Sequence, residues 1–386
     1  MGTKMYLVRG TEALLVDGLP KPGFPILLWE DMRGCYPANE FLRYYLQRGA
    51  IGSPKSWAPI GQAIYDFFSV LEANGLKWDD VDRGKHTDLV SAYRDYCFNV
   101  AKHKRGTVRQ RLIFITAFYE YAKRQHWIHK LPFEYEQRRA NRKPLSAPSG
   151  NMAVASPMPR GQRDLIRFLS TEEVRALLKA VVNPHHRMIV LLALHTGLRR
   201  EELATFPLSY VFDPAQTPTK SRNIAITLDP EDGTGMKTKG SYRRTVWVSR
   251  HLMGDLHHYA AHWRGERSHK SAGTYAPLFL NQDGRPWSSD GKGIEAFVRR
   301  LGRKIGLHIS PHILRHTYAT HTLLALQRQR DQNRLEPVIF LMRQLGHTSI
   351  ATTQRYLHLI NDLADHAVLA FDEELYSLAA QAHKDA

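Results

Sequence analysis

In the stretch TVRQRLIFITAFYEYAKRQHWI the apolar residues fall at Val108, Leu112, Ile115, Tyr119 and Ala122. That i, i+4, i+7, i+11 spacing marks one face of a helix. An amphipathic helix owes most of its stability to packing of that face, so the stretch demands helical neighbours. The sequence supplies them in ANEFLRYYLQRGA, in SPKSWAPIGQAIYDFFSVLEANG with its glycine stop, and in TDLVSAYRDYCFNVAKHK. Residues 36–135 therefore predict a small helical bundle. Lys102, Lys104, Arg105, Arg109 and Arg111 crowd the start of its last helix and form a basic rim.

The flanks differ. Residues 1–35 alternate short apolar runs with Gly and Pro, which predicts a small hairpin or an extended arm. Residues 136–166 are rich in Pro, Gly, Ser and Arg and lack periodicity. They predict a basic linker, either wrapped along a polyanion or simply solvated.

Beyond it, LSTEEVRALLKAVV carries Ser170 and Glu173 at capping-box spacing. RMIVLLALHTG is an apolar helix stopped at Gly197. RNIAITL and YRRTVWVS are short β-rich runs, and helical patterns resume at GIEAFVRRLGRKIG and PHILRHTYATHTLLALQ. Residues 167–363 thus predict a mixed α/β domain. The fold class is mainly α with a small antiparallel β-sheet. DHAVLAFDEELYSLAAQ (365–381) has amphipathic spacing and predicts a tail helix within 364–386.

Charge narrows the partners. The chain has 54 Lys plus Arg against 37 Asp plus Glu, a net +17. Such an excess favours a polyanion, nucleic acid ahead of an anionic membrane. No apolar run approaches the ~18 residues of a membrane span. MGTKMYLVRG lacks the apolar core of a signal peptide. Cys35 and Cys97 are the two cysteines, too few for a disulfide framework or a thiolate metal site. The expectation is a cytoplasmic protein without a cofactor or metal.

Four separated segments carry the chemistry. HTGLRREEL places Arg199 after a glycine turn, with Glu202 on the same helical face. MKTKGSYRRTVWV places Lys239 in a β-hairpin, with Lys237 its competitor. SPHILRHTYATH places His312 and Arg315 on one helix start, followed by His316, which either joins the site or packs. LGHTSIATTQRY places His347 ahead of Tyr356. Taken singly each residue is ordinary, and a lone Tyr is usually structural. Their joint order is what points to a site. His258 and His262 have metal-pair spacing but no third ligand, and GTGMKTKG lacks the G-K-[ST] ending of a phosphate loop.

In these motifs the chain resembles the tyrosine recombinase, or phage-integrase, family: TGLR-x-x-E, H-x-x-R-H, L-G-H and the following Tyr occur in the family's order. YYLQRG and RQRLIFITAFYEYA resemble its helical core-binding domain, so the resemblance covers about residues 36–363. It implies a core-binding domain plus a catalytic domain that cuts and rejoins double-stranded DNA at recombination sites through a 3′-phosphotyrosyl intermediate, with no ATP or metal. It further implies that Arg199, Arg315 and His347 hold the phosphate and that Lys239 protonates the leaving 5′-oxygen. His312 would deprotonate or orient Tyr356, and Glu202 would orient a basic neighbour. The same likeness implies a homo-tetramer on DNA, monomeric or dimeric when free, with the tail helix docked on a neighbouring protomer and an accessory DNA-binding protein as a further partner. The absence of a larger arm-binding domain leans toward a recombinase of a transposon or integrative element, for integration, excision or cointegrate resolution, over housekeeping chromosome-dimer resolution; the expected location is the bacterial cytoplasm, associated with the nucleoid. The competing readings are a type IB-like topoisomerase and a DNA-binding regulator with a degenerate site. Two departures stand out. Glu201 stands where the family has a small residue, and its added negative charge would weaken local phosphate affinity unless it pairs outward, as with Arg200; 325–337 looks like an insertion.

Overall fold

The apolar stripes of the first half meet in one core. A computed structural model describes residues 5–49, 51, 53–139, 151–161, 166–217, 221–328 and 336–357. These divide into two compact units at the boundary between Asp164 and Leu165. In the first unit, four helices assemble: α1 (Tyr36–Leu46), α2 (Trp57–Ala73), α3 (Leu89–Asn99) and α4 (Arg105–Arg124). Val108, Leu112, Ile115, Tyr119 and Ala122 of α4 are all fully buried. They face α1, α2 and α3. Rings fill the centre edge-on, with Phe118 5.6 Å from Phe41, 5.3 Å from Phe68 and 5.5 Å from Trp78. This T-shaped arrangement sets positive ring edges against negative faces.

The N-terminal residues form β1 (Tyr6–Arg9), β2 (Leu15–Val16), β3 (Leu19–Pro20) and β4 (Pro25–Leu28). Strand β1 pairs antiparallel with β4, and β2 with β3. The hairpin is docked, because Met5, Phe24 and Leu27 enter the core of the bundle. Asn39 of α1 fastens it. Its side chain accepts from the Leu27 N–H at 2.8 Å and donates to the Leu27 carbonyl at 2.9 Å.

The linker expected over 136–166 needs correction. Strand β5 (Tyr135–Arg139) pairs antiparallel with β6 (Asn151–Ala155), and Ala155 and Met158 belong to the first unit's core. Arg138 donates to the carbonyls of Met158 (2.6 Å) and Ser156 (3.1 Å). Its charge serves backbone closure, so a basic composition here does not mean a free linker. Residues 140–150 and 162–165 lie outside the described residues.

The second unit opens with α5 (Thr171–Ala180), and its capping box is formed by Ser170 and Glu173. Helices α6 (Pro184–Thr196) and α7 (Arg200–Ala204) come next, then strands β7 (Asn223–Leu228) and β8 (Arg244–Ser249), paired antiparallel. Helix α8 (Arg250–His258) runs through a π-turn into α9 (Arg264–Ser268). Helices α10 (Lys292–Lys304), α11 (Pro311–Arg328) and α12 (Pro337–Leu345) complete the unit, and residues 350–357 are again helical. Ile226, Leu228, Val246 and Val248 point from the two strands into the core. The Gln344 side chain accepts from the Trp247 N–H (2.9 Å) and donates to its carbonyl (3.1 Å). One buried amide thereby imitates a further strand and fixes the end of α12 beside β8. Among the described residues no helix is long and apolar enough to cross a membrane. Residues 329–335 of the suspected insertion and the tail 364–386 lie outside the described residues.

Gly61 of α2 marks where the hairpin lands, because a Cβ there would meet Pro25 Cβ at 2.3 Å. Helix propensity alone favours Ala over Gly by ~1 kcal/mol. Gly61→Ala is nonetheless expected to destabilise the protein by ~1–3 kcal/mol through overpacking. Denaturant unfolding of the full chain checks this, and a gain in stability would show that the hairpin does not dock there.

Candidate active site

Two helix ends build the centre of the site. Helix α6 stops at Gly197 (φ 64°) and α12 at Gly346 (φ 63°), both left-handed. A helix end leaves carbonyls without intrahelical partners and carries partial negative charge. Here guanidinium groups take them up. Arg315, on α11 and 3% exposed, donates to the Gly197 carbonyl and to the Leu345 carbonyl, each at 2.6 Å. Arg199 donates to the Gly346 carbonyl at 3.1 Å. Both glycines are also needed for space, since a Cβ at 197 would meet the Tyr318 ring at 2.5 Å and one at 346 would meet Arg244 Cδ at 2.5 Å. The two glycines of T-G-L-R and L-G-H therefore aim the carbonyls that hold the arginines.

Glu202 ties the arginines into a network. Its carboxylate is fully buried. It accepts from the Arg199 N–H (2.7 Å) and Arg199 Nη1 (3.1 Å), and from Arg244 Nη1 (2.5 Å) and Nη2 (2.7 Å). Burial alone would raise its pKa. The Arg244 hydrogen bonds and the charges of Arg244, Arg199 and Arg315 outweigh burial and hold it at about 2. Burial and the Arg199 charge lower Arg315 to about 9, which leaves it charged at neutral pH. Arg199, Arg244 and Arg315 thus share the one carboxylate of Glu202. The surplus positive charge suits an arriving anion. Arg244 is the residue that sequence reasoning missed. Its signal is the second Arg of YRRTVWV, where the strand begins.

Tyr356 stands beside this cluster and is 2% exposed. Burial raises its pKa, while the charges of Arg315, Arg355 and Arg199 pull the other way. Its hydroxyl lies 2.8 Å from His316 Nδ1. Sequence reasoning gave the contact with Tyr356 to His312 and left His316 open. The geometry reverses this: His312 is exposed and meets His316 edge-on, with ring centroids 4.1 Å apart and planes 64° apart. A step of four residues on α11 puts the two imidazoles on one face, and the inner one reaches the phenol. The His347 ring lies parallel to Tyr356 at 6.5 Å, and its Nδ1 is 2.8 Å from Thr353 Oγ1. Burial and the charges of Arg315, Arg199 and Arg244 lower His347 to about 3.

Arg199, Glu202, Arg315, His312, His347 and Tyr356 are thus brought together. Lys239 is not in hydrogen-bond contact with them. It lies exposed in the turn Lys239–Ser241 ahead of β8. Lys237 donates from Nζ to Ser289 Oγ at 3.1 Å. Arg200 pairs with Glu295 of α10. In the first unit Lys102, Lys104 and Arg105 are exposed. Arg109 and Arg111 depart from the expected basic rim. Arg109 donates to the Pro159 carbonyl (2.9 Å). Arg111 pairs with Asp66 (2.6 Å) and reaches the Tyr93 hydroxyl (3.3 Å). Their guanidiniums are committed within the unit.

Known proteins share this arrangement of elements and motifs. Residues 167–362 match the model of the Phage integrase family, and the chain belongs to that family. By this membership it is a tyrosine recombinase, an enzyme of site-specific recombination. It is 25% identical over 324 residues to tyrosine recombinase XerC of Lacticaseibacillus casei, covering 82% of this chain and 91% of that protein. It is 29% identical over 213 residues to tyrosine recombinase XerA of Saccharolobus solfataricus, covering 55% of this chain and 59% of the relative. The fold is shared with the XerH site-specific recombinase bound to palindromic difH (TM-score 0.54, 16% identity, 87% of this chain and 88% of the other). It is also shared with the Tn1549 transposon integrase in complex with transposon right-end DNA (TM-score 0.55, 16% identity, 83% and 94%).

The buried carboxylate gives a pH test of the network. Glu202→Gln leaves Arg244 buried without its counter-charge, and breaking such a pair costs ~3–5 kcal/mol. A carboxylate held at about 2 when folded adds stability above its unfolded pKa. That stability fades as pH falls from ~4.3 toward the folded value. The gap between wild type and Glu202→Gln should be full at pH 7 and shrink below about pH 4. Unfolding curves across this range check it.

Proposed function

We propose that the chain cuts and rejoins double-stranded DNA at specific sites through a 3′-phosphotyrosyl intermediate. The supporting observation is the pair Arg199 and Arg315, fixed by helix-end carbonyls beside the Tyr356 hydroxyl. A guanidinium offers a planar fork to phosphate oxygens. Charge fixed in advance costs no reorganisation when the pentavalent phosphorane forms. Tyr356 Oη attacks phosphorus, and the bond to the 5′-oxygen breaks. One phosphodiester is exchanged for another, so the step needs no ATP. Lys239 supplies the proton to the leaving oxygen, and its exposed position in a short turn lets it meet DNA from outside. His347 contacts a non-bridging oxygen. His312, exposed at the start of α11, faces the incoming strand.

In the first unit Lys102, Lys104 and Arg105 hold the DNA backbone, a role that fixes register without reading sequence. Arg109 and Arg111 support that surface from beneath. DNA as the partner is supported by the net charge of +17 and by the DNA complexes of the similar recombinases. Four copies on two paired sites and a docked tail are carried forward as part of the same proposal, as is an accessory DNA-binding protein. Fold likeness is alike for XerH and the Tn1549 integrase, so the mobile-element role rests on the sequence reading alone.

Tyr356→Phe is expected to keep DNA binding in a gel-shift assay and to lose the covalent protein–DNA adduct in denaturing gels. An adduct that persists in this variant would remove Tyr356 from the role of nucleophile. Arg199→Lys keeps a charge but loses the fork, and single-turnover cleavage should slow by roughly 10²–10³-fold.

A further inference from the structure

The proton of Tyr356 needs a destination, and the deepest clue is the contact at its hydroxyl. This inference rests on Tyr356 as the nucleophile and goes on to name its base. His316 Nδ1 lies 2.8 Å from Tyr356 Oη, across a sequence separation of forty residues. Their rings are 5.6 Å apart and tilted by 56°. The ring of His312 meets His316 edge-on at 4.1 Å on the outer side. We propose that His316 is the catalytic base of the cleavage step, taking the Tyr356 proton onto Nδ1 as Oη attacks phosphorus.

The atoms balance. The Oη–H bond breaks and Nδ1–H forms; the Oη–P bond forms and the bond from phosphorus to the 5′-oxygen breaks. The leaving oxygen takes its proton from the general acid on the other side. On religation the steps reverse, and imidazolium returns its proton to the phenol.

Electrostatics explain why the base is quiet until DNA arrives. Burial lowers His316 to about 3, helped by His312 on its own helix and by Arg315, Arg355 and His347 around it. The imidazole is therefore neutral at rest, with one nitrogen free to accept. Arg315 is among the charges that depress it, and Arg315 is also a phosphate ligand in the proposed mechanism. A bound phosphodiester brings a negative charge against that arginine. The repulsion felt by imidazolium then weakens, and the ring becomes a better base when a substrate is in place.

The test uses the full-length protein and a nicked substrate that traps the covalent adduct. His316→Asn sets an amide oxygen near the place of Nδ1; it accepts a hydrogen bond but takes no proton. Single-turnover adduct formation in His316→Asn should fall by about 100-fold or more at neutral pH. Its rate should climb steeply with pH, because the phenol must then ionise unaided. A second substrate carries sulfur in place of the bridging 5′-oxygen, a leaving group that needs no proton. It should rescue Lys239→Ala and leave His316→Asn slow. Wild-type adduct rates in His316→Asn, or rescue of that variant by sulfur, would overturn the assignment. A readout without any variant at His316 is the ¹⁵N signal of its ring in the wild-type protein. Nδ1 should appear unprotonated and should shift in Tyr356→Phe; a protonated Nδ1 could not accept and would equally overturn it. If Tyr356→Phe itself forms adduct, the failure lies with the nucleophile.

Discussion

A charged guanidinium removed from water must be paid for in hydrogen bonds, and Arg315 sets that demand at the centre of the second unit. Its two terminal nitrogens are met by the carbonyls of Gly197 and Leu345. Those carbonyls exist to be met because α6 and α12 end there. Three helices are therefore joined by one side chain: α11, which carries it, and the two whose ends it caps. The union is reciprocal, since each helix end would otherwise bury polar groups without partners. Left-handed glycines turn the chain away so that the carbonyls stay open to the arginine. Replacing the guanidinium by an apolar side chain would take the donor from the Gly197 and Leu345 carbonyls, so the residue that binds phosphate in the proposed mechanism also joins three helices.

The same demand explains the charge imbalance. Among the described residues, Glu202 is the carboxylate that pairs with Arg199 and Arg244, and its charge also reaches the buried Arg315. Arg244 Nε remains buried without a hydrogen-bond partner. Neutralising every charge within the protein would give a more comfortable resting state and a poorer anion site. Carbonyl dipoles compensate enough to keep Arg315 charged, without cancelling the field that an arriving anion would meet. The histidines feel that field as well. His316 and His347 are driven neutral, so each ring keeps one nitrogen able to accept, and their Nδ1 atoms lie 2.8 Å from the hydroxyls of Tyr356 and Thr353.

Legibility in the sequence tracks the range of the forces. Helix faces repeat locally, so the five apolar positions of α4 were readable and are buried. The Ser170–Glu173 cap is local too. The polar network was half legible: ordered motifs identified the arginines, the glutamate and the tyrosine as a set, through resemblance to a family. Their mutual contacts were not. Glu202 to Arg244 spans 42 residues and His316 to Tyr356 spans 40. Nothing in a local period encodes such a pair. Composition also misled where charge serves the backbone. Arg138, Arg109 and Arg111 looked like free cations, yet each is satisfied by a carbonyl or by Asp66. The β5–β6 hairpin was hidden because its strands are short and carry polar residues such as Glu136, Gln137 and Asn151.

The placement of Tyr356 completes the logic. The Gly346 carbonyl accepts from Arg199, and His347 next to it meets Thr353 of the helical stretch 350–357. The segment whose carbonyl holds Arg199 is thus continuous with the one that carries the hydroxyl. Between them lie the polar residues Thr348 and Ser349 and then the first helical turn. Each residue added to or removed from that turn would rotate the rest of the helix by about 100° and shift it by ~1.5 Å. A single such step would swing Tyr356 off His316 while Arg199 and Arg315 stayed where their helix-end carbonyls hold them. The spacing from His347 to Tyr356 is therefore a geometric requirement: it sets the bearing of the Tyr356 hydroxyl relative to two arginines that are fixed independently.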